Sequence, residues 1–139
     1  MNLRVNTYKK AQKELSLSEA NPHQVIQILM REFLTQVYQA KVFIQRSDIE
    51  SRNNSIKKAI GIIGGLKGGL NLKQGGDIAD NLNALYDYLV IRLSEANTQN
   101  SIDILDEIKE LFSPIKEAWD GITEEDKQKG FALLEQSGS

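Results

Sequence analysis

The stretch that decides the fold is residues 75–97, GGDIADNLNALYDYLVIRLSEAN. Apolar residues recur in it at steps of three and four, which places them on one face of an α-helix. This face contains Ile78, Leu82, Leu85, Leu89, Leu93 and Ala96, and it is widened on one side by Ala79, Tyr86 and Val90. So wide an apolar face needs cover from more than one neighbour. The stretch therefore predicts a central helix, ending near Asn97, in an all-α protein.

Three further stretches repeat the same apolar spacing, and each begins with a residue that can cap a helix. The predicted capping residues are Asn21, which is followed by Pro22 at the first helical position, Asp48 and Ser101. The last of these helices runs through Pro114 to Gly121. Because the connections are short, we expect successive helices to be antiparallel neighbours. The prediction is one domain over residues 1–139, with an antiparallel up-down four-helix bundle over residues 21–122.

The two ends of the chain lie outside this bundle. Residues 1–18 are polar with scattered apolar positions, among them Val5 and Tyr8, so they form either a flexible tail or a segment that docks on the bundle. At the other end, Thr123 and Asp126 are spaced like a capping box, with Asp in place of the usual Glu. A short extra helix is therefore predicted over residues 123–136.

Composition excludes several classes of function. The net charge is -2 and the cations are dispersed, which gives no basic field for nucleic acid. There is no cysteine and only one histidine, His23, so thiolate sites and paired Glu-x-x-His metal sites are excluded. We interpret His23 as a surface residue at a helix start. With the carboxylates on solvated helix faces, we predict no catalytic residues, no metal site and no cofactor.

Location is indicated only by missing signals. The first residues contain no apolar run that could serve as a signal peptide, and no window reaches the ~18 apolar residues of a membrane span. We therefore expect a cytoplasmic protein without membrane insertion.

A glycine cluster, GIIGGLKGG at residues 61–69, lies within the second helical pattern. It does not have the spacing of a phosphate-binding loop, because Lys67 is followed by glycine rather than Ser or Thr. At about 100° per residue the glycines share one arc, opposite the apolar face. Two interpretations stay open: either the helix frays near Gly64, or a bare arc forms a groove for a partner helix. The groove would use Gly61, Gly64, Gly65 and Gly68.

Several larger side chains are also candidates for partner contacts. Met30, Leu34 and Tyr38 form a second apolar row beside the main face of the first helix. Tyr88 lies off the apolar stripe of its helix, which favours a surface contact, whereas Tyr86 and Trp119 lie on stripes and are predicted to be core residues.

Over most of its length the chain resembles the FliS family of flagellin-specific export chaperones. The resemblance rests on GGDIADNL, ALYDY, RLSEAN and ILDEI followed by EAW, all within residues 70–119, and on SEANPHQVIQILM at the start of the first long helix. Tyr8 also lies where the family has an N-terminal tyrosine, with an apolar residue, Val5, three positions earlier. The resemblance to the family extends over residues 5–122.

The resemblance implies a cytoplasmic helical bundle that binds the disordered C-terminal segment of flagellin, prevents its polymerisation and keeps it ready for export. It also implies that the N-terminal segment, through Val5 and Tyr8, can occupy the client surface as an internal plug. The alternative is a regulatory adaptor that binds an anti-sigma factor or an export-gate component instead. A co-chaperone partner and a homodimer also stay open.

Overall fold

Four α-helices make up most of residues 21–70 and 76–122, which are the residues described by the computed structural model of this chain. The helices are α1 (Pro22–Gln45), α2 (Ile49–Gly68), α3 (Gly76–Gln99) and α4 (Ile102–Asp120). The predicted N-terminal segment, with Val5 and Tyr8, and the predicted helix at 123–136 lie outside the described residues.

Side-chain caps begin three of these helices, as the sequence predicts. The side chain of Asn21 accepts a hydrogen bond from the backbone N–H of Gln24 at 2.9 Å, and Ser101 caps α4 in the same way. Asp48 accepts from the backbone N–H of Ser51 at 3.1 Å, and this bond lowers the pKa of its carboxyl. Each cap satisfies a backbone donor that the first helical turn leaves without a partner.

The end predicted for α3 is two residues too early. The helix passes Asn97 and continues to Gln99, and the chain then turns at Asn100, whose φ is 54°. Asparagine tolerates this left-handed conformation better than most residues, which is why the helix ends there.

The helices form a ring in which each one contacts two neighbours. α1 packs against α2 and α4, and α3 packs against the same two helices from the other side. The pair Lys41–Asp106, at 3.1 Å, joins the end of α1 to the start of α4. Arg52, near the start of α2, donates to the side chain of Asn100 after α3 at 2.7 Å. Both contacts require antiparallel neighbours, and the predicted up-down four-helix bundle is confirmed.

The core fills the space between the four apolar faces. The rings of Phe33 and Phe112 lie at its centre, 4.4 Å apart, and both side chains are fully buried. Burying a side chain of this size stabilises the fold by about 1.5–3 kcal/mol. The other fully buried large side chains include Tyr86, Ile56, Ile63, Leu89, Leu93, Leu105 and Ile108. Tyr86 and Trp119 are both predicted to be core residues. Tyr86 is fully buried, whereas Trp119 is only partly buried and packs against the edge of the core.

The apolar face predicted for α3 is only partly covered. Ile78 is 74% exposed, whereas Leu89, Leu93 and Ala96 of the same face are fully buried, and Ala79 and Tyr86 beside them are buried as well. In α4, Leu111 is also exposed, while the adjacent Phe112 is fully buried. Periodicity shows that a helix has an apolar face, but the positions of the neighbouring helices decide which edge of a wide face is covered.

His23 is buried, and the prediction of a surface position is wrong. Its ring lies 4.8 Å from that of Trp119 in a stacked arrangement. His23 Nε2 lies 3.0 Å from the backbone oxygen of Trp119, and Trp119 Nε1 donates to the backbone oxygen of His23 at 3.1 Å. The end of α4 therefore covers the start of α1, an arrangement that a reading of α1 alone does not show.

The glycine cluster is helical, so the interpretation that α2 frays near Gly64 is wrong. The helix continues through Gly68. Gly64 and Gly65 are nevertheless buried, which contradicts a bare, solvent-facing arc along the whole cluster. Gly61 is half-buried and Gly68 is exposed. A glycine exposes only backbone, and packing around it removes that small area from solvent.

Two glycines provide a matched test of backbone energetics. A Cβ added at Gly68 would meet nothing within 4 Å, so Gly68→Ala should raise the free energy of unfolding by up to about 1 kcal/mol. Gly76 has equal space but a φ of +60°, so Gly76→Ala should lower the free energy of unfolding by about 1 kcal/mol. Urea denaturation of both variants measures the difference. Equal shifts in the two variants would contradict this account.

Candidate binding surfaces

Among the described residues, two grooves lie on the surface of the bundle, and the first separates α2 from α3. This α2–α3 groove has a volume of about 500 Å³. It is lined by Ile60, Gly61, Gly64, Lys67, Asp87, Val90 and Ile91. Its two glycines present backbone only, so the floor on the α2 side is low, while Ile91 is 57% exposed on the α3 side. The groove is mainly apolar, with one ion pair, Lys67–Asp87, joining its two helices.

The second groove separates α1 from α4. This α1–α4 groove has a volume of about 390 Å³. It is lined by Leu34, Val37, Tyr38, Lys41, Val42, Gln45, Leu105, Asp106 and Lys109. A neighbouring hollow shares Leu34 and Tyr38 and adds Arg31, Thr35, Gln39 and Lys116. Tyr38 is 62% exposed and is the most accessible aromatic side chain among the described residues.

The two grooves lie on opposite sides of the molecule. The helices contact one another in the order α1, α2, α3, α4 and back to α1, and the backbones of the diagonal pairs stay further apart in the described ranges. The α1–α4 interface is therefore opposite the α2–α3 interface. One compact ligand cannot fill both grooves, but an extended chain that passes around the bundle can.

A polar network occupies the side between α3 and α4. Arg92 Nε donates to Glu107 Oε1 at 2.7 Å, and the Tyr88 hydroxyl donates to Glu107 Oε2 at 3.2 Å. Arg92 also bonds Glu95 at 2.8 Å. The hydrogen bond from Arg92 is the main cause of a lowered pKa at Glu107, while desolvation is the main cause of a raised pKa at Tyr88. These contacts join α3 to α4 across their exposed edge.

The structure distributes the predicted partner-binding residues over several environments. Leu34 and Tyr38 line the α1–α4 groove, and Gly61 and Gly64 line the α2–α3 groove. Met30 is 3% exposed and belongs to the core, which does not fit the surface role predicted for it.

The remaining candidates lie apart from these grooves. Gly65 is buried, and Gly68 is exposed at the end of α2. Tyr88 is 41% exposed but is held in the polar network. Neither groove lining includes any of these three residues. Their role in partner binding stays a prediction.

Sequence reasoning missed one wall of each groove. The apolar spacing of α3 indicates packing for Val90 and leaves Ile91 outside the predicted face, although both residues line the α2–α3 groove. Ile91 carried a usable signal, since it is an isoleucine on the otherwise polar outer side of α3. Lys109 carried none, because a lysine on a solvated helix face is ordinary until α1 is known to lie beside it.

The described ranges contain neither a metal-binding cluster nor a membrane-spanning helix. Within residues 21–70 and 76–122, no cluster of three or more His, Asp or Glu side chains could hold a metal ion. Over the same ranges, none of the helices combines the length and apolar character needed to cross a membrane.

Comparison with known proteins decides the family. The sequence model described as "Flagellar protein FliS" matches residues 4–126. The chain belongs to the FliS family. It is 44% identical over 116 residues to the flagellar secretion chaperone FliSB of Pseudomonas aeruginosa, covering 84% of this chain and 92% of that protein. It is 37% identical to the flagellar secretion chaperone FliS of Vibrio cholerae, covering 87% and 89%, and 37% identical to that of Salmonella typhimurium, covering 86% and 89%. The resemblance to FliS stated from the sequence is confirmed.

The network between α3 and α4 in this FliS-family chain gives a prediction about pH. Because Arg92 holds the pKa of Glu107 below its usual range, Arg92→Met should raise that pKa. A lowered native pKa stabilises the fold above the unfolded-state pKa of about 4.3, and this contribution is lost as pH falls through the lower native value. Carboxyl ¹³C NMR titration of both proteins measures the shift, and Tyr88→Phe should give a smaller rise. An unchanged Glu107 pKa in Arg92→Met would contradict the assigned cause.

Proposed function

We propose that this FliS-family chain is a cytoplasmic export chaperone that binds the C-terminal segment of newly made flagellin. The family supports a role in flagellar secretion, since the relatives compared above are named secretion chaperones. The observation that carries the choice of site is the α2–α3 groove, an open apolar surface with a floor of glycine backbone. We assign it as the main client site.

The groove suits a segment that folds as it binds. A disordered chain can form an amphipathic helix when it meets an apolar surface, and a floor without side chains lets the helix approach closely. Gly61 and Gly64 supply that floor, while Ile60, Val90 and Ile91 supply apolar contact. The client loses conformational entropy as it orders, so a large contact area yields only moderate affinity. Moderate affinity is what a chaperone needs to release its client for export.

The proposed action is binding alone, without catalysis. While the flagellin segment lies on the chaperone, its apolar residues cannot join those of other flagellin molecules. The segment is thereby kept from premature polymerisation and remains ready for secretion. We also propose that no cofactor takes part.

The proposal is tested by co-expressing the chain with the C-terminal segment of its own flagellin. We expect a 1:1 complex on size-exclusion chromatography, with mass measured by light scattering. A second culture expresses the chain with the anti-sigma factor of the same system. A complex with the anti-sigma factor alone would favour the regulatory adaptor and overturn the flagellin proposal.

A substitution at the groove wall tests the assigned site. Ile91→Gln should weaken binding of the flagellin segment about tenfold, because it replaces apolar contact with an amide that the client must desolvate. Ile49→Gln is the matched control, since Ile49 is 61% exposed and lines neither groove. Isothermal titration calorimetry measures both variants. If both variants lose affinity for the flagellin segment equally, the α2–α3 groove is not the client site.

The N-terminal segment gives a separate prediction. If Val5 and Tyr8 occupy the client surface as an internal plug, deletion of residues 1–18 removes a competitor and should raise flagellin affinity. Binding measured with the full chain and with residues 19–139 gives the comparison. An affinity unchanged by the deletion would exclude the plug, and circular dichroism at matched concentration checks that the shortened chain is folded.

A further inference from the structure

The α1–α4 groove differs from the α2–α3 groove in charge. Its lining and that of the adjoining hollow contain four cations and one carboxylate: Arg31, Lys41, Lys109, Lys116 and Asp106. By contrast, the α2–α3 groove contains only the ion-paired Lys67 and Asp87. The two grooves therefore suit ligands of different charge.

Two of the four cations are engaged and two are available. Lys41 pairs with Asp106, and Lys116 pairs with Asp120. In the described part of the chain, Arg31 and Lys109 form no ion pair, and both side chains are exposed. A ligand that carries carboxylates can thus pair with them without breaking an existing contact.

The positions of these two cations match the repeat of a helix. Contacts from Lys41 to Asp106 and from Gln27 to Asp120 set the antiparallel register of α1 and α4. In that register Lys109 lies level with Tyr38, seven residues beyond Arg31. At 1.5 Å per residue the separation along the axis is about 10 Å, or two helical turns. Carboxylates two turns apart on one face of a bound helix would reach both cations.

Apolar side chains line the groove beside the two cations. Leu34 and Val37 lie between the levels of Arg31 and Lys109, Val42 and Leu105 lie about one turn further along, and the ring of Tyr38 stands exposed above this floor. An exposed tyrosine beside an aliphatic floor is a common anchor in protein interfaces. An amphipathic helix would place its apolar face on this floor and its carboxylates at the rim.

We propose that the α1–α4 groove binds an acidic amphipathic helix of a second partner protein, with Arg31 and Lys109 as the residues that select for its charge. Because this groove lies opposite the proposed client groove, the partner and the client can be bound together. Charge complementarity favours this occupant over a second copy of the chain, whose described surface beside the groove is itself cationic.

The test uses the full chain and two designed peptides, so its result does not depend on flagellin being the client. Each peptide is an amphipathic helix of about 18 residues, or five turns, with a leucine face. One carries Glu at two positions seven residues apart and the other carries Lys there. By fluorescence anisotropy the Glu peptide should bind about tenfold more tightly at about 0.1 M salt, and the preference should shrink at about 1 M salt.

Charge reversal identifies the groove. Arg31→Glu with Lys109→Glu should reverse the preference between the two peptides. Lys57→Glu with Lys58→Glu is the matched control, because it makes the same change in net charge at exposed positions that line neither groove. The control should leave the preference unchanged, and Ile91→Gln should leave it unchanged as well. Equal binding of both peptides, no binding, or an equal effect of the two charge reversals would overturn the proposal.

Two rival occupants are separated by further measurements. If the groove joins two copies of the chain, sedimentation will show a dimer that Arg31→Glu with Lys109→Glu disperses. If the flagellin segment fills the groove, it will displace the Glu peptide. Either result would overturn the proposed second partner, whereas a ternary complex of chain, flagellin segment and Glu peptide would support it.

Discussion

The contact between α1 and α4 is the interaction on which the rest of the bundle depends. The Phe33 and Phe112 rings join these helices at the centre of the core, and the His23–Trp119 pair joins them at one end. The first and last helices of the bundle are the ones that no short loop connects. Their side chains alone must close the ring, and aromatic pairs do so with large buried area and defined geometry. Once α1 and α4 are aligned, the short connection from α1 to α2 and the short connection from α3 to α4 fix α2 and α3 on the opposite side.

The sequence predicts those features that depend on residues close together in the chain, and it does not predict those that depend on residues far apart. Caps such as Asn21, Asp48 and Ser101 act within one turn, so local sequence was enough to find them. The burial of His23 depends on a residue 96 positions away, and no local pattern contains that information. The exposure of Ile78 has the same origin, because the neighbours of α3 decide which part of its apolar face is covered.

For a similar reason, the residues predicted to bind a partner lie on only one side of each groove. Leu34, Tyr38, Gly61 and Gly64 are unusual on their own helices, so they could be chosen before any packing was known. A groove, however, has two walls, and the second wall belongs to a different helix. Ile91 and Lys109 acquire their meaning only when α2 lies beside α3 and α1 lies beside α4. Sequence periodicity can nominate one side of a groove, and tertiary structure supplies the other.

The glycines of α2 lower the intrinsic stability of this helix relative to its neighbours. Four glycines within α2 weaken it by about 2–4 kcal/mol relative to alanine, which is a large part of the ~5–15 kcal/mol of a typical domain. The helix persists because Ile56, Ile63 and Leu66 are held in the core. Alanine at the groove positions 61 and 64 would remove the intrinsic helix cost of glycine, but it would add methyl groups to the floor of the groove. Helix propensity and access to the α2–α3 groove therefore oppose each other at these two positions, whereas Gly68 lies outside the groove lining and is free of this conflict.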